Sequence, residues 1–221
     1  GNYKISIANT TQISSPTSNY NIRINYQGPD IYRSYIDQSV AVWENIIIGD
    51  LPAVNDQEHG IIDDILVEFS INPIDGEYGT LGSCRYPDRR SSGNRLPYKA
   101  FICLDEYDVA RLRDEGKLLD LINHEMGHTN GFGWFESYND INGNQLGRNY
   151  DYYGENALRE YRILTNNFSH SSVPLENTGG PSTAKGHWRE SIFDTELMTG
   201  IAETSGVFEP ISRLTIAALE D

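Results

Sequence analysis

Apolar residues recur along this chain with two different periods, and each period predicts a different kind of secondary structure. From Tyr20 to Tyr26 every second residue is apolar, which predicts a half-buried strand. Apolar runs at 61–71, 79–84 and 99–104 predict three more strands. Between the first two strands, apolar residues recur every three or four positions, the spacing of the buried face of a helix; they are Tyr32, Ile36, Val40, Trp43 and Ile47.

A second helix is predicted to begin near Asp114 and to end at Gly131. One side of it is expected to face the core; its residues are Leu118, Ile122 and Met126. The neighbouring side is expected to face a cleft; its residues are Leu121, His124 and His128. A last helix is predicted from Ile211 to Asp221. Strands and helices without an internal repeat favour the α+β class.

The composition is that of a globular protein, with 38% hydrophobic and 22% charged residues among 221. This length fits one domain, which a cleft can divide into two lobes. Acidic residues outnumber basic ones by 32 to 17, and the net charge of −15 disfavours binding to nucleic acid or anionic membranes. No apolar run approaches a membrane span and no signal peptide is visible. The last predicted helix stops without a cap, so we expect the natural polypeptide to be longer.

The most informative motif is His124-Glu125-Met126-Gly127-His128. On a helix, residues four apart lie one turn above another, so both imidazoles can bind one metal ion. Glu125 lies beside them and can accept a proton from metal-bound water, as in zinc peptidases. A catalytic zinc site has three protein ligands, so one more ligand must come from elsewhere in the chain.

The candidates for that third ligand distinguish two classes of zinc peptidase. Thermolysin-like enzymes use a Glu on a second helix, and Glu155 is a candidate for this role. Compact metzincins have a Gly three residues after the second His, as Gly131 is here, and then a third His, where this chain has Trp134. His59 and His170 lie in polar segments and are interpreted as a surface and a loop histidine.

The remaining histidine opens a more specific pattern. His187 is followed by Trp188, and Glu196-Leu197-Met198 places Met198 eleven residues after His187. Here the chain resembles the leishmanolysin family, metzincins in which a long insertion separates the motif glycine from the third histidine. Other segments also resemble bacterial members of that family; they are 45–51, 173–181 and 214–221. The resemblance implies that His187 is the third zinc ligand and that Met198 belongs to a Met-turn, an apolar floor beneath the zinc.

The resemblance also implies a metzincin-like catalytic domain of two lobes over residues 1–221. The upper lobe, about 1–131, is expected to hold a twisted mixed sheet with two long helices above the cleft. The lower lobe, about 132–221, is expected to be mostly irregular, with the Met-turn and a C-terminal helix.

The predicted function is that of a zinc-dependent endopeptidase with one catalytic Zn²⁺ and with Glu125 as the general base that activates metal-bound water. Protein or peptide substrates are expected to lie extended along a strand at the cleft; its residues are Gly79, Thr80, Leu81, Gly82 and Ser83. We expect a monomer that is secreted or held at the cell surface.

Two alternatives to this function come from other classes. A thermolysin-like peptidase leaves the segment ending at Met198 without a role. A non-catalytic binding or adhesion module with a structural zinc has no need of Glu125, and closed structural sites usually have four protein ligands.

The two cysteines and one polar loop give further predictions. A disulfide between Cys84 and Cys103 suits an extracytoplasmic enzyme, and two buried free thiols are the alternative. Oxygen ligands alternate along Asp140-Ile141-Asn142-Gly143-Asn144, as in a calcium loop. The distal Glu of such a loop is missing, so an ordinary Asn/Gly turn is the preferred interpretation.

Overall fold

The computed structural model describes residues 19–91, 96–133, 150–180 and 183–221. Within these residues the chain forms eight strands: β1 (Ile22–Gln27), β2 (Val54–Asp56), β3 (Gly60–Ile62), β4 (Ile65–Asn72), β5 (Gly82–Arg89), β6 (Pro97–Asp105), β7 (Asp151–Tyr152) and β8 (Val173–Pro174). It also forms six α-helices: α1 (Arg33–Ile46), α2 (Val109–Asp114), α3 (Leu118–Thr129), α4 (Glu155–Thr165), α5 (Glu190–Phe193) and α6 (Arg213–Glu220). None of these helices is long and apolar enough to cross a membrane.

The main sheet has four strands in the order β1-β4-β6-β5. Strands β1, β4 and β6 are parallel, whereas β5 pairs antiparallel with β6 and forms one edge of the sheet. The mixed sheet and the helices confirm the predicted α+β class. The predicted strand at 61–71 is divided into β3 and β4, and the strand predicted at 79–84 begins later, at Gly82.

Helix α1 packs on α3, as its apolar stripe predicted. Ile36 and Trp43 are fully buried, and the Trp43 indole Nε1 donates a hydrogen bond to the Asn123 carbonyl oxygen, 3.1 Å away. Both helices pack on the sheet in one hydrophobic core, which includes Val67, Phe69, Ile102, Ile122 and Met126. This packing fixes the position of α3, the helix that contains the two motif histidines.

The second predicted helix, α3, begins later than expected, and a short helix that was not predicted, α2, precedes it. Asp114 ends α2 instead of capping the motif helix, and α3 begins after Lys117. Gly116 lies between them with φ +73°, a left-handed conformation that glycine adopts at no steric cost. The predicted start of the motif helix was therefore wrong by four residues, because a turn at Gly116 separates Asp114 from α3.

The region from residue 150 onward has its own hydrophobic cluster around the fully buried Trp188. Helix α6 confirms the predicted C-terminal helix, and the Ser212 hydroxyl caps it by accepting a hydrogen bond from the Thr215 amide. Helix α4 was not predicted. Its apolar residues Ala157, Leu158 and Tyr161 recur at helical spacing and pack in or against the second cluster, and the polar Glu160 is buried beside them.

The predicted disulfide is wrong: Cys84 and Cys103 are free thiols. In the β5–β6 pair, Cys84 lies opposite Ile102, and Cys103 lies opposite Ser83. Because side chains alternate between the two faces of a sheet, an offset of one residue places the two thiols on opposite faces. Trp134 and the segment 140–144, interpreted as an Asn/Gly turn with a calcium loop as the alternative, lie outside the described residues.

Candidate metal centre

Three imidazoles converge at one point between α3 and the segment that precedes α5. The His124 Nε2 atom lies 3.1 Å from the His128 Nε2 atom and 3.2 Å from the His187 Nε2 atom, and the last two atoms are 3.1 Å apart. Tetrahedral zinc with Zn–N distances of about 2.0–2.1 Å separates its ligand nitrogens by roughly 3.3 Å. The three histidines therefore form a group with the spacing of a metal site.

Hydrogen bonds on the outer ring nitrogens determine which tautomer each histidine adopts. The Nδ1 atoms of His124, His128 and His187 lie 2.7, 3.0 and 2.9 Å from the backbone carbonyl oxygens of Leu197, Phe132 and Thr183, respectively. A carbonyl oxygen only accepts, so each Nδ1–H donates, and each neutral ring keeps an unprotonated Nε2. Three lone pairs then face one another without a proton between them, an arrangement that a cation satisfies.

The protonation of the three rings agrees with a metal-ligand role. Burial lowers the pKa of His124 to about 3, with a further contribution from His187. Burial also lowers the pKa of His128 well below its usual value and lowers that of His187. The imidazoles are therefore neutral at pH 7, which is the form that binds metals.

Glu125 lies beside this group with its carboxylate in the cleft. It is 4% exposed, and burial raises its pKa to about 8. A cation at the three imidazoles would favour the ionised form of this carboxylate. Gly82 on β5 leaves room for the side chain, because a Cβ at that position would lie 2.7 Å from the Glu125 Oε1 atom.

Glu176 organises the segment that contains His187. The Glu176 amide donates to the His187 carbonyl oxygen at 2.9 Å, which pairs the two segments. The Glu176 carboxylate accepts hydrogen bonds from the amides of Asn177, Thr178 and Glu190 and from the Thr178 hydroxyl. Although burial raises the pKa of Glu176, these donors lower it to about 2, so the carboxylate is ionised at pH 7.

Glu196 has the same role in the segment that contacts His124. Its fully enclosed carboxylate accepts hydrogen bonds from the Met198 amide, from the amide and hydroxyl of Ser212, and from the Thr215 hydroxyl. These bonds fix the position of Leu197, whose carbonyl oxygen accepts from His124. Burial raises the pKa of Glu196, and its four donors only partly offset that effect.

Met198 is fully buried against the motif helix. A Cβ added to Gly127 would lie 2.7 Å from the Met198 sulfur, so the glycine between the two histidines allows the close contact. Gly133 has φ +80°, and a Cβ there would lie 2.5 Å from the Gly186 carbonyl oxygen. Both glycines allow the His187–Met198 region to approach the helix that contains the other two ligand candidates.

The other candidate ligands are distant from this group. His59 pairs with Glu68 at 2.7 Å, and the His170 ring packs on Tyr161 with centroids 4.5 Å apart. Glu155 is exposed at the start of α4. Several groups of side chains among the described residues could hold a metal ion. The group that consists of imidazoles is His124, His128 and His187.

A cleft of about 740 Å³ opens in front of the three histidines. Its lining includes all five residues predicted to bind substrate; they are Gly79, Thr80, Leu81, Gly82 and Ser83. Gly82 and Ser83 lie in the edge strand β5, whereas the first three residues lie in the loop that precedes it.

Sequence reasoning missed the groups that orient the histidines. Three of them are backbone carbonyl oxygens, which leave no signal in a sequence. Glu196 was visible as the first residue of the ELM segment, but its role was not inferred. Glu176 lies in a segment noted only for its resemblance to family members.

Comparison with known proteins identifies the family. The model of the leishmanolysin family of peptidases, family M8, matches residues 97–221, which is more than half of the chain. This match includes the motif helix, His187 and the ELM segment. No curated protein matches the chain. The chain therefore belongs to the leishmanolysin family of zinc metallopeptidases.

Proposed function

We propose that this protein is a zinc-dependent endopeptidase whose metal ligands are His124, His128 and His187. One observation supports the ligand set above all others. Each imidazole donates its Nδ1–H to a backbone carbonyl oxygen, and the three unprotonated Nε2 atoms lie within 3.2 Å of one another. When bound there, zinc polarises a peptide carbonyl and lowers the pKa of water in its open position.

Glu125 is the general base and acid in this proposal. Its carboxylate accepts a proton from the water that attacks the peptide carbonyl and then donates this proton to the departing amine. Its position in the cleft, one residue after His124, supports this role. The low exposure of the side chain excludes bulk water from the proton transfer.

The substrate is proposed to pair in extended form with the free edge of β5, at Gly79, Thr80, Leu81, Gly82 and Ser83. An edge strand offers unpaired backbone groups to a peptide. Gly82 lies directly beside the Glu125 carboxylate, so a peptide paired there passes the reacting groups. Pairing of this kind needs substrate residues on both sides of the cut, which is the requirement of an endopeptidase.

We also propose one catalytic domain, with an upper lobe at about 1–131 and a lower lobe at about 132–221. The two hydrophobic clusters support this division, and Ile211 and Leu219 pack against both of them. Met198 is proposed as the apolar floor of a Met-turn. A monomer and a secreted or cell-surface location stay predictions; the free thiols remove the disulfide as an argument for that location.

A structural zinc site in a binding module is the weaker alternative. Such a site usually has four protein ligands and no open position. The described residues bring three imidazoles together, and the carboxylate of Glu125 faces an open cleft beside them.

Removal and restoration of zinc tests the proposed function. Protein treated with a chelator and dialysed should lose hydrolysis of an unfolded protein substrate, and one equivalent of Zn²⁺ should restore it. Mass spectrometry of the products should find internal cleavages, since an endopeptidase does not need a free chain end. Unchanged hydrolysis by metal-free protein, or trimming from the ends alone, would contradict the proposal.

A further inference from the structure

The cleft continues beyond the metal centre along α3 towards the start of that helix. Leu121 and Asp120 lie about one helical turn before His124, and Lys117 lies about two turns before it. The opposite wall is the segment that follows Met198; its lining residues are Thr199, Gly200, Ile201 and Ala202. Glu209 closes this end of the cleft. This end of the cleft therefore forms a side pocket next to the reacting groups.

A network of buried charges forms the end of this side pocket. The Lys117 side chain is 3% exposed, and its ammonium group pairs with the carboxylates of Asp120, at 2.7 Å, and Glu209. Lys117 also donates to the Val207 carbonyl oxygen at 2.9 Å. An ammonium group has three donors, so these three acceptors leave no donor for a substrate.

Asp120 is the member of this network that a substrate can reach. Its side chain is 23% exposed, compared with 6% for Glu209. Only Oδ2 contacts Lys117, and no described residue donates a hydrogen bond to Oδ1. The end of the pocket therefore presents a carboxylate oxygen that accepts hydrogen bonds.

The wider lining of the cleft has the same sign of charge. Among the described residues that line it, Lys117 is the one Lys or Arg, against the carboxylates of Asp75, Asp120, Glu125 and Glu209. Around Lys117 the two carboxylates of Asp120 and Glu209 exceed the one ammonium group, so this end of the cleft has a net negative charge away from the metal centre. A cationic substrate side chain is attracted, and an anionic one is repelled.

The direction of the bound peptide determines which of its side chains enters this pocket. A peptide that adds to β5 as the next antiparallel strand runs from the Arg89 end towards the Gly82 end. Residues after the cleaved bond then lie near Leu81 and Tyr78. The Tyr78 ring stacks on Arg111 of α2, the helix that directly precedes Lys117 and Asp120 at the start of α3.

We propose that Asp120 is a specificity-determining residue that binds the Lys or Arg side chain immediately following the cleaved bond. This inference rests on the proposed peptidase function. Asp120 precedes His124 by four residues, about 6 Å along the helix axis. A long cationic side chain spans this distance and contacts Leu121 with its apolar stem. A leucine side chain is too short to reach the carboxylate, and a glutamate is repelled by it.

A peptide series tests this specificity. Three peptides differ only in the residue after the cleaved bond, which is Arg, Leu or Glu, and kcat/KM is measured for each. The wild-type protein should cleave the Arg peptide about tenfold faster than the Leu peptide and about a hundredfold faster than the Glu peptide. Asp120→Asn should lower the ratio of kcat/KM for the Arg peptide to that for the Leu peptide by about tenfold, because the lost charge acts on the cationic side chain.

Asp114→Asn is the matched control, because it removes one carboxylate from an exposed position outside the cleft. It should keep the wild-type ratios. Equal cleavage of the Arg and Leu peptides by wild-type protein would overturn the inference, as would a full Arg preference in folded Asp120→Asn.

A binding measurement separates this inference from the proposed function. Calorimetry with the zinc-loaded Glu125→Gln variant measures the affinity of the same three peptides without cleavage. Affinities in the order Arg, Leu, Glu would support the role of Asp120 even if wild-type protein hydrolysed none of them, a result that would overturn the proposed function alone. Equal affinities would overturn the role of Asp120.

Discussion

The two parts of this protein that meet at the metal centre are stabilised in different ways. From β1 to α3, a four-stranded sheet and two packed helices contain most of the backbone hydrogen bonds. From β7 to α6, the regular elements are three helices and the two-stranded antiparallel sheet of β7 and β8, and Trp188 joins neighbouring segments through isolated bridges. The first part places two histidines through the spacing of one helix, whereas the second places His187 through hydrogen bonds between irregular segments, such as those of Glu176 with His187 and Trp188 with Met198.

In irregular segments, buried carboxylates accept the hydrogen bonds of backbone amides that a helix or a sheet would otherwise satisfy. Glu176 and Glu196 each accept hydrogen bonds from four donors around the His187–Met198 region. The first part uses the same arrangement once, in the loop before β5. There the buried Asp105 accepts from the amides of four residues; they are Ile74, Asp75, Gly76 and Tyr107. An irregular segment can therefore be as well defined as a strand when a carboxylate satisfies its amides.

The prediction with the largest expected effect concerns the part from β7 to α6, which contributes His187 to the metal centre. His187→Ala should lose most of the bound zinc and reduce peptide hydrolysis by at least about 1000-fold, because two imidazoles do not complete a catalytic site. His170→Ala and His59→Ala are the controls and should keep both properties. Elemental analysis and an activity assay make the comparison, and full zinc occupancy in His187→Ala would refute this ligand set.

The prediction with the next largest effect concerns the part from β1 to α3, which contributes Glu125. Glu125→Gln should reduce hydrolysis by about 1000-fold, because an amide does not accept the proton of the attacking water. Zinc content should stay at the wild-type level, since the three imidazoles and their carbonyl partners are unchanged. Near-normal turnover by this variant would mean that another residue is the base.

A smaller effect tests whether a carboxylate stabilises the irregular part. Glu196→Gln places an amide NH₂ among the donors of Met198, Ser212 and Thr215, so at least one donor is left unpaired. We expect the free energy of unfolding to fall by about 2–3 kcal/mol and zinc affinity to fall by about tenfold. Denaturant unfolding and zinc titration measure these changes. Glu155→Gln, on an exposed position of α4, should change neither; equal effects in both variants would contradict the role of Glu196.

The smallest effect concerns the sheet. Because Cys84 and Cys103 lie on opposite faces, reduction should not change the melting temperature or the zinc content. Titration of unfolded, unreduced protein should find two free thiols. A protein without titratable thiols whose melting temperature falls on reduction would show instead that the β5–β6 register differs from the one described.

Local patterns predicted the elements whose side chains follow a simple period. The apolar stripe of α1 and the spacing of His124 and His128 depend on helical geometry alone, so both were predictable from neighbouring residues. Helix α4 was not predicted, although Ala157, Leu158 and Tyr161 recur in it at helical spacing. The partner of its buried Glu160, which is Arg213 at 3.1 Å, was not predictable. A polar residue that is buried with a distant partner is indistinguishable in a sequence from an exposed one.

The spacing of His124 and His128 predicted a zinc peptidase, because it is a local property of the sequence. The resemblance of the His187–Met198 segment to the leishmanolysin family implied His187 as the third ligand. Tertiary structure alone decided the rest. The thiols are separated by a register offset of one residue, which no local pattern determines. The tautomer of His124 depends on a carbonyl oxygen 73 residues away, and the chain brings these two groups together only through packing of its two hydrophobic clusters.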